Sequence, residues 1–229
     1  MKLRIQFHKL GPVRFTSHKD TIRMFQRCFA ACGIPVSYSE GFHPHMRLSF
    51  APPLKTGWEG HEEYLDIVVD GPPGEIRDRC NATLPEGLRI NHVYILSDRA
   101  PKIAADISAV TVRARLHSED VSSDRAGDIE SSLRERFIAT MPVGGENGQP
   151  RIVQAAVRAG GAGDDGVELQ YTTTSVSGKI LNPADVVADV VGDPDDFAVP
   201  MFVARMAQFV EREGEFVSPI TKGVLLNTS

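Results

Sequence analysis

The order of elements in this 229-residue chain predicts an α+β fold made of two ferredoxin-like (β-α-β-β-α-β) halves packed side by side, residues 1–100 and 101–229. Three observations carry the prediction. Period-two alternation and helical apolar spacing follow one another in that order through the first hundred residues. The same order of elements, though no residue-level repeat, returns after Pro101. The length suits two domains of about 100 to 130 residues, and the 41% hydrophobic content is that of an ordinary globular protein.

Lys2 to His8 alternates through Leu3, Ile5 and Phe7 and reads as a half-buried strand, which Gly11-Pro12 ends. Ser17 and Asp20 form a capping-box variant. Behind them Ile22, Phe25, Cys28, Phe29 and Cys32 recur at helical spacing until Gly33. The other face of this helix carries Lys19, Arg23 and Arg27, a basic stripe, and its first turn holds His18 where free N–H groups favour an anion. Met46 to Phe50 and Tyr64 to Val69 read as strands joined by a loop over Gly57 to Glu63. Pro73 to Leu84 has helical spacing at Ile76, Cys80 and Leu84, and Leu88 to Leu96 reads as a strand. In the second half, strands are expected at Ile107–Leu116, Ile152–Ala159 and Gly166–Thr174, with helices at Ala126–Ala139 and from Asn182 to about Val191. Gly160 to Asp165 reads as a hairpin turn, since the Lys-Ser/Thr and helix of a phosphate loop do not follow it. Asp193, Asp195 and Asp196 lack the spacing of a calcium loop. Met201 to Val210 fits helix or strand, and the element order selects a closing strand.

No apolar run reaches the ~18 residues of a membrane span, and the alternating start differs from a signal peptide, so a cytoplasmic protein is expected. The net charge of −5 hides a polarity. Residues 1–61 carry nine Lys or Arg against three Asp or Glu, a net of +6, and the remainder is −11. A basic end with five of the seven histidines on an acidic protein points to an anionic ligand, with RNA, phosphate and carboxylate all eligible.

Tyr38 to Leu54 concentrates the chemistry. It sets Tyr38, Glu40, Phe42, His43, His45 and Arg47 on a connection stiffened by Pro44 and turned at Gly41. With Arg14 and His18 these residues form a candidate substrate or nucleic-acid pocket, provided that the loops after strand one and helix one meet at one sheet edge. Arginine offers phosphate a planar fork, and Tyr38 and Phe42 could stack a base. His43 and His45 are weak metal-ligand candidates, with His18, Glu40 or His61 as a third ligand; no cofactor is expected. His18 with His43 or His45 could also serve as an acid–base pair. Glu59, His61, Glu62 and Glu63 read as a solvated acidic loop, and Trp58 as its anchor. Cys28 and Cys32 read as reduced core thiols rather than metal ligands.

Gly11-Pro12-Val13-Arg14-Phe15-Thr16-Ser17-His18-Lys19-Asp20, Gly33-Ile34-Pro35-Val36-Ser37-Tyr38-Ser39-Glu40-Gly41-Phe42-His43-Pro44-His45 and Leu48-Ser49-Phe50-Ala51-Pro52-Pro53-Leu54 together resemble the radical SAM-linked protein family. That family is a domain of unknown function fused to, or encoded beside, radical SAM proteins of the type with a cobalamin-binding-like domain. The motifs cover about the first 70 residues, and the ending Phe216-Val217-Ser218-Pro219 also matches. Relatives commonly have Asn-Pro after Gly-Phe where this chain has His43-Pro44, so Arg47 and Tyr38 rank ahead of His43. The resemblance implies a radical SAM protein as partner and supplies no reaction. The chain is not expected to be the radical enzyme itself, because Cys28-x-x-x-Cys32 has Pro35 where the third cluster cysteine would stand and Cys80 lies on another element.

The leading expectation is therefore an accessory binding protein of a radical SAM system, non-catalytic on its own, presenting a basic pocket to RNA or another anion, with RNA modification as the setting. The alternatives are a His-dependent or metal-assisted nuclease or hydrolase, and a protein–protein adaptor that ignores nucleic acid.

Overall fold

A computed structural model of the chain describes residues 1–71, 75–117, 152–159, 166–175, 179–181 and 202–220. The fold is mixed α+β, a largely antiparallel sheet with few helices. The chain divides into two compact units, Met1–Ile107 with Ala207–Ser229, and Ser108–Met206. Sequence reasoning drew one boundary near residue 100 and did not foresee the return of the C-terminal segment to the first unit.

In the first unit β1 (Lys2–Lys9) leads through a 3-10 turn at Gly11–Phe15 into α1 (His18–Ala31), followed by β2 (Leu48–Phe50) and β3 (Glu59–Val68). Then come α2 (Ile76–Asn81), β4 (Leu88–Ile95) and the single turn α3 (Ile103–Asp106). β1 lies between β4 and β3, antiparallel to both, and β2 pairs antiparallel with β3. The expected Ser17–Asp20 capping box is present, and Gly33 ends α1 at φ +60°. α1 buries Phe25, Cys28 and Phe29 against Leu3, Ile5 and Phe7 of β1 and Leu65 and Ile67 of β3. Phe7 and Phe25 meet edge to face with centroids 4.9 Å apart.

A polar knot underlies this sheet. The Arg4 guanidinium, wholly buried, donates from Nε and Nη2 to the two carboxylate oxygens of Asp66 at 2.7 and 3.0 Å. Nη1 and Nη2 also donate to the carbonyls of Pro219 and Pro101, and the Ile103 N–H donates to Asp66. Each nitrogen of the buried guanidinium thus has an acceptor, the condition under which such a charge is tolerated.

β3 begins at Glu59 where the sequence predicts a loop to Glu63. Its polar start escaped hydrophobic patterning because the polar groups have partners: the Glu59 carboxylate accepts from the Gly11 N–H at 2.8 Å, and Glu62 accepts from the Tyr64 hydroxyl at 3.3 Å. Glu63 is buried beside Lys9.

The second unit has the strand order β8-β5-β7-β6, from β5 (Ile107–His117), β6 (Ile152–Ala159), β7 (Gly166–Thr174) and β8 (Phe202–Arg212). β5 and β6 both run antiparallel to β7. β8 is the closing strand that the element order selected, and past Met206 it carries the chain back into the first unit, where β9 (Glu215–Val217) pairs with it. The expected helices at Ala126–Ala139 and Asn182–Val191, the glycine-rich turn 160–165 and Asp193, Asp195 and Asp196 lie outside the described residues. Among the described residues no helix is long and apolar enough to cross a membrane.

Candidate functional site

The register of β1 on β3 decides which candidate residues meet. Lys9 pairs with Gly60, so the loop after β1 sits at the Gly60 end of β3. Val36 bridges Val69 and the Ser37 N–H donates to the Val68 carbonyl, so the loop after α1 sits at the other end. Nine residues of strand separate the two, about 30 Å at the rise of an extended chain. The turn that carries Arg14 thus stands at the opposite end of β3 from the 38–47 loop, while the His18 ring reaches Phe50, which pairs with Leu65 in mid-strand. The condition set for a single pocket, that the two loops meet at one sheet edge, is not met by the loops themselves.

At the Gly60 end, Arg14 holds its turn in place. Its carbonyl accepts from the Gly57 N–H, its Nη1 lies 3.5 Å from the Glu59 carboxylate, and its guanidinium carbon lies 4.8 Å from the Phe15 ring centroid. Trp58 is half-buried beneath Lys55, whose Nζ lies 5.2 Å from the ring centroid. Beside this turn a pocket opens among Phe7, Lys9, His18, Phe50, Leu54, Glu63 and Tyr64. His18 meets Phe50 edge-on at 5.4 Å. The Lys9 ammonium donates to the Thr16 carbonyl at 2.7 Å. Burial lowers its pKa from the ordinary lysine value, and the charges of Glu63 and Asp20 offset part of that. A buried, perturbed lysine beside a carboxylate in a cleft is a mark of functional sites. Sequence reasoning missed Lys9, Glu63 and Tyr64, because polar residues inside strands look the same as solvated ones.

At the other end, residues 38–47 form a pinned loop with an exposed tip. Tyr38 bridges Met46, the Ser39 N–H donates to the His45 carbonyl at 2.8 Å, and the Arg47 N–H donates to the Ser37 carbonyl at 2.9 Å. The Ser39 hydroxyl binds both the His45 N–H and its ring Nδ1, at 3.1 and 2.9 Å. Gly41, at φ +123°, turns the chain where a side chain would strain it. Phe42 is fully exposed and Tyr38 is 54% exposed, with Glu40, His43, His45 and Arg47 exposed around them.

The metal candidates change. His45 Nδ1 is engaged by Ser39 and lies 3.4 Å from the His43 carbonyl, and His61 is at the far end of β3, 3.9 Å from the Glu59 carboxylate. Among the described residues, the one group of three metal-competent side chains is Cys28, Cys32 and Cys80, whose sulfurs lie within 4.8 Å of one another. Cys80 is on another element, as expected, yet α2 packs it against the C-terminal turn of α1. Cys80 hydrogen-bonds Cys28, which lowers the Cys28 pKa, while the same contact and burial raise that of Cys80. The signal was present in the sequence: Cys28 and Cys32 on one apolar stripe and Cys80 on another, both facing the same sheet.

Residues 2–142 match the model of a family described as "Uncharacterized protein conserved in bacteria (DUF2344)". The chain belongs to that family. Membership names no reaction, ligand or partner. No curated protein matches the chain. Among solved structures, one titled as an unknown protein from Galdieria sulphuraria is similar at 13% identity over 89% of this chain and 97% of that one, with a TM-score of 0.25. A second, titled as a putative glycine cleavage system transcriptional repressor, is 12% identical over 88% of this chain and 95% of that one, with a TM-score of 0.22. At these scores neither structure carries weight for fold or function.

Proposed function

We propose that this member of the family is an accessory binding protein that presents the basic face of its first unit to single-stranded RNA and works beside a radical SAM protein. The carrying observation is the character of the exposed apolar side chains. Among the described residues the large ones are Met1, Phe15, Tyr38 and Phe42, and the three aromatics all lie within the basic segment 1–61. Exposed rings among cations are what a single strand uses, bases stacking on the rings while phosphates meet the charges. The separation of the two ends favours an extended ligand over a compact one. α1 runs between them for about 21 Å, and its exposed Lys19, Arg23 and Arg27 continue the positive charge from Phe15 towards the Tyr38–Arg47 loop.

The radical SAM partner rests on the sequence motifs alone. Ferredoxin-like topology for each unit is likewise our reading, supported by the strand orders β4-β1-β3, with β2 on β3, and β8-β5-β7-β6.

Fluorescence anisotropy with a short labelled single-stranded RNA tests the binding. Affinity should fall steeply as salt rises, and each of Phe42→Ala and Tyr38→Ala should weaken it about fivefold or more, the lower end of a stacking contribution. Absence of binding at low salt, or full affinity in the Phe42→Ala, Tyr38→Ala double variant, overturns the RNA reading. Co-purification from native extract separates the alternative: an adaptor brings down a protein partner and no nucleic acid.

A further inference from the structure

The three thiols at the junction of α1 and α2 are not used by this reading, and their arrangement is that of a metal site. Cys28 sits one turn before the end of α1, Cys32 caps it, and Cys80 stands in the last turn of α2. Cys28 and Cys80 are buried and Cys32 is half-buried, so one sulfur of the three reaches solvent. Two of the three sulfurs have polar neighbours: Cys28 Sγ lies 3.6 Å from the Cys80 carbonyl, and Cys32 Sγ lies 3.2 Å from the Arg79 carbonyl and 3.3 Å from Thr83 Oγ1. Arg79 donates from Nη2 to the Cys32 carbonyl, which brings a guanidinium beside the cluster.

We propose that Cys28, Cys32 and Cys80 bind a single Zn²⁺ as three thiolates, with water as the fourth ligand on the Cys32 side. Three geometric and chemical facts support it. Thiolates bonded to one tetrahedral zinc at ~2.3 Å lie about 3.8 Å apart, so sulfurs already within 4.8 Å need only a small contraction. The same closeness excludes a four-iron cube, in which three thiolates bind three different irons and stand farther apart. Among the described residues no fourth cysteine, histidine or carboxylate joins the group, which leaves the open position typical of a three-ligand zinc site. Binding converts three thiols and Zn²⁺ into a zinc tris-thiolate of charge −1 and releases three protons, with Arg79 placed to offset the charge. Cu⁺ would leave −2 at the same site, and for that reason zinc is favoured.

Cobalt reports the site directly. The full-length protein, reduced and stripped of metal, is titrated with Co²⁺ under anaerobic conditions, and zinc is then added. The expected result is an intense sulfur-to-cobalt charge-transfer band saturating at one cobalt per chain and abolished by zinc. Cys32→Ser, the variant least disruptive to the core, should weaken binding by more than the roughly 100-fold that loss of an outer-shell partner brings. Thr83→Cys places a fourth sulfur beside Cys32 and should tighten binding and raise the band, a gain that misfolding cannot imitate. The proposal is overturned if the folded wild type gives no such band, if Cys32→Ser keeps it in full, or if mass spectrometry of unreduced protein finds two of the three cysteines as a disulfide that zinc does not prevent.

Discussion

Removing the Asp66 carboxylate should be among the most damaging single changes available to this protein. Arg4 is 0% exposed and Asp66 4%, and two N–H···O contacts at 2.7 and 3.0 Å join them. Asp66→Ala takes away both acceptors and also leaves the Ile103 N–H without its partner at 3.1 Å. Arginine does not deprotonate in proteins, so the cation stays charged in a buried site with only two carbonyls facing it. Breaking such a pair from one side costs about 3–5 kcal/mol. For a chain of this size each kcal/mol moves the melting temperature by about 2–4 °C, so a fall of about 6–20 °C is expected. Thermal unfolding followed by circular dichroism measures it, with urea unfolding as the check on the free energy. The companion variant, Arg4→Met with Asp66→Leu, removes both charges and should recover at least half of the loss, because burying two apolar groups carries no ionic desolvation. A melting temperature within about 2 °C of the parent for Asp66→Ala, or a double variant no better than the single, would refute the reasoning.

Two further outcomes follow from the same unit. Gly87→Ala should destabilise the protein by more than about 3 kcal/mol, beyond the usual range for a point change, as urea unfolding would show; the glycine has φ +86° and an added Cβ would stand 2.2 Å from the Leu10 carbonyl oxygen. Burial raises the Tyr64 phenol pKa well above that of a free tyrosine, with the Glu62 charge as a second cause. The fold therefore favours the neutral phenol; its contribution is complete below pH ~10, where a free tyrosine titrates, and is lost as pH climbs from there towards the raised value. Denaturant unfolding at stepped alkaline pH should show a decline of up to about 1.4 kcal/mol per pH unit from this group, and Tyr64→Phe should flatten it.

Much of the fold was legible because local chemistry and global fold agree. Leu3, Ile5 and Phe7 alternate as a strand must, and Ser17 with Asp20 closes the capping box that starts α1. What escaped the sequence reading was polar burial. Glu59 to Glu63 read as a solvated loop because hydrophobic pattern carries no information on where Gly11, Lys9 or Tyr64 would come to rest. The placement of the two loops could have been foreseen. A helix that follows a strand returns along it, so the loop after α1 arrives at the beginning of β1 and not at its end. Two loops in that relation face opposite ends of the sheet, whatever side chains they carry. The cysteine trio was half-legible in the same sense: the apolar stripes were read correctly, and what was lacking was the inference that two helices covering one sheet face bring their stripes together.

The contact between Arg4 and the Pro219 carbonyl spans 215 residues of sequence and lies inside one unit. During synthesis Arg4 leaves the ribosome long before Pro219 has been translated. The first unit must therefore wait for Pro219 before Nη1 of its buried cation gains its carbonyl acceptor, and a fragment ending at Ile107 would keep the Asp66 pair and lack that contact permanently. Translation through Pro219, rather than completion of the segment up to Ile107, is the event that closes this part of the fold.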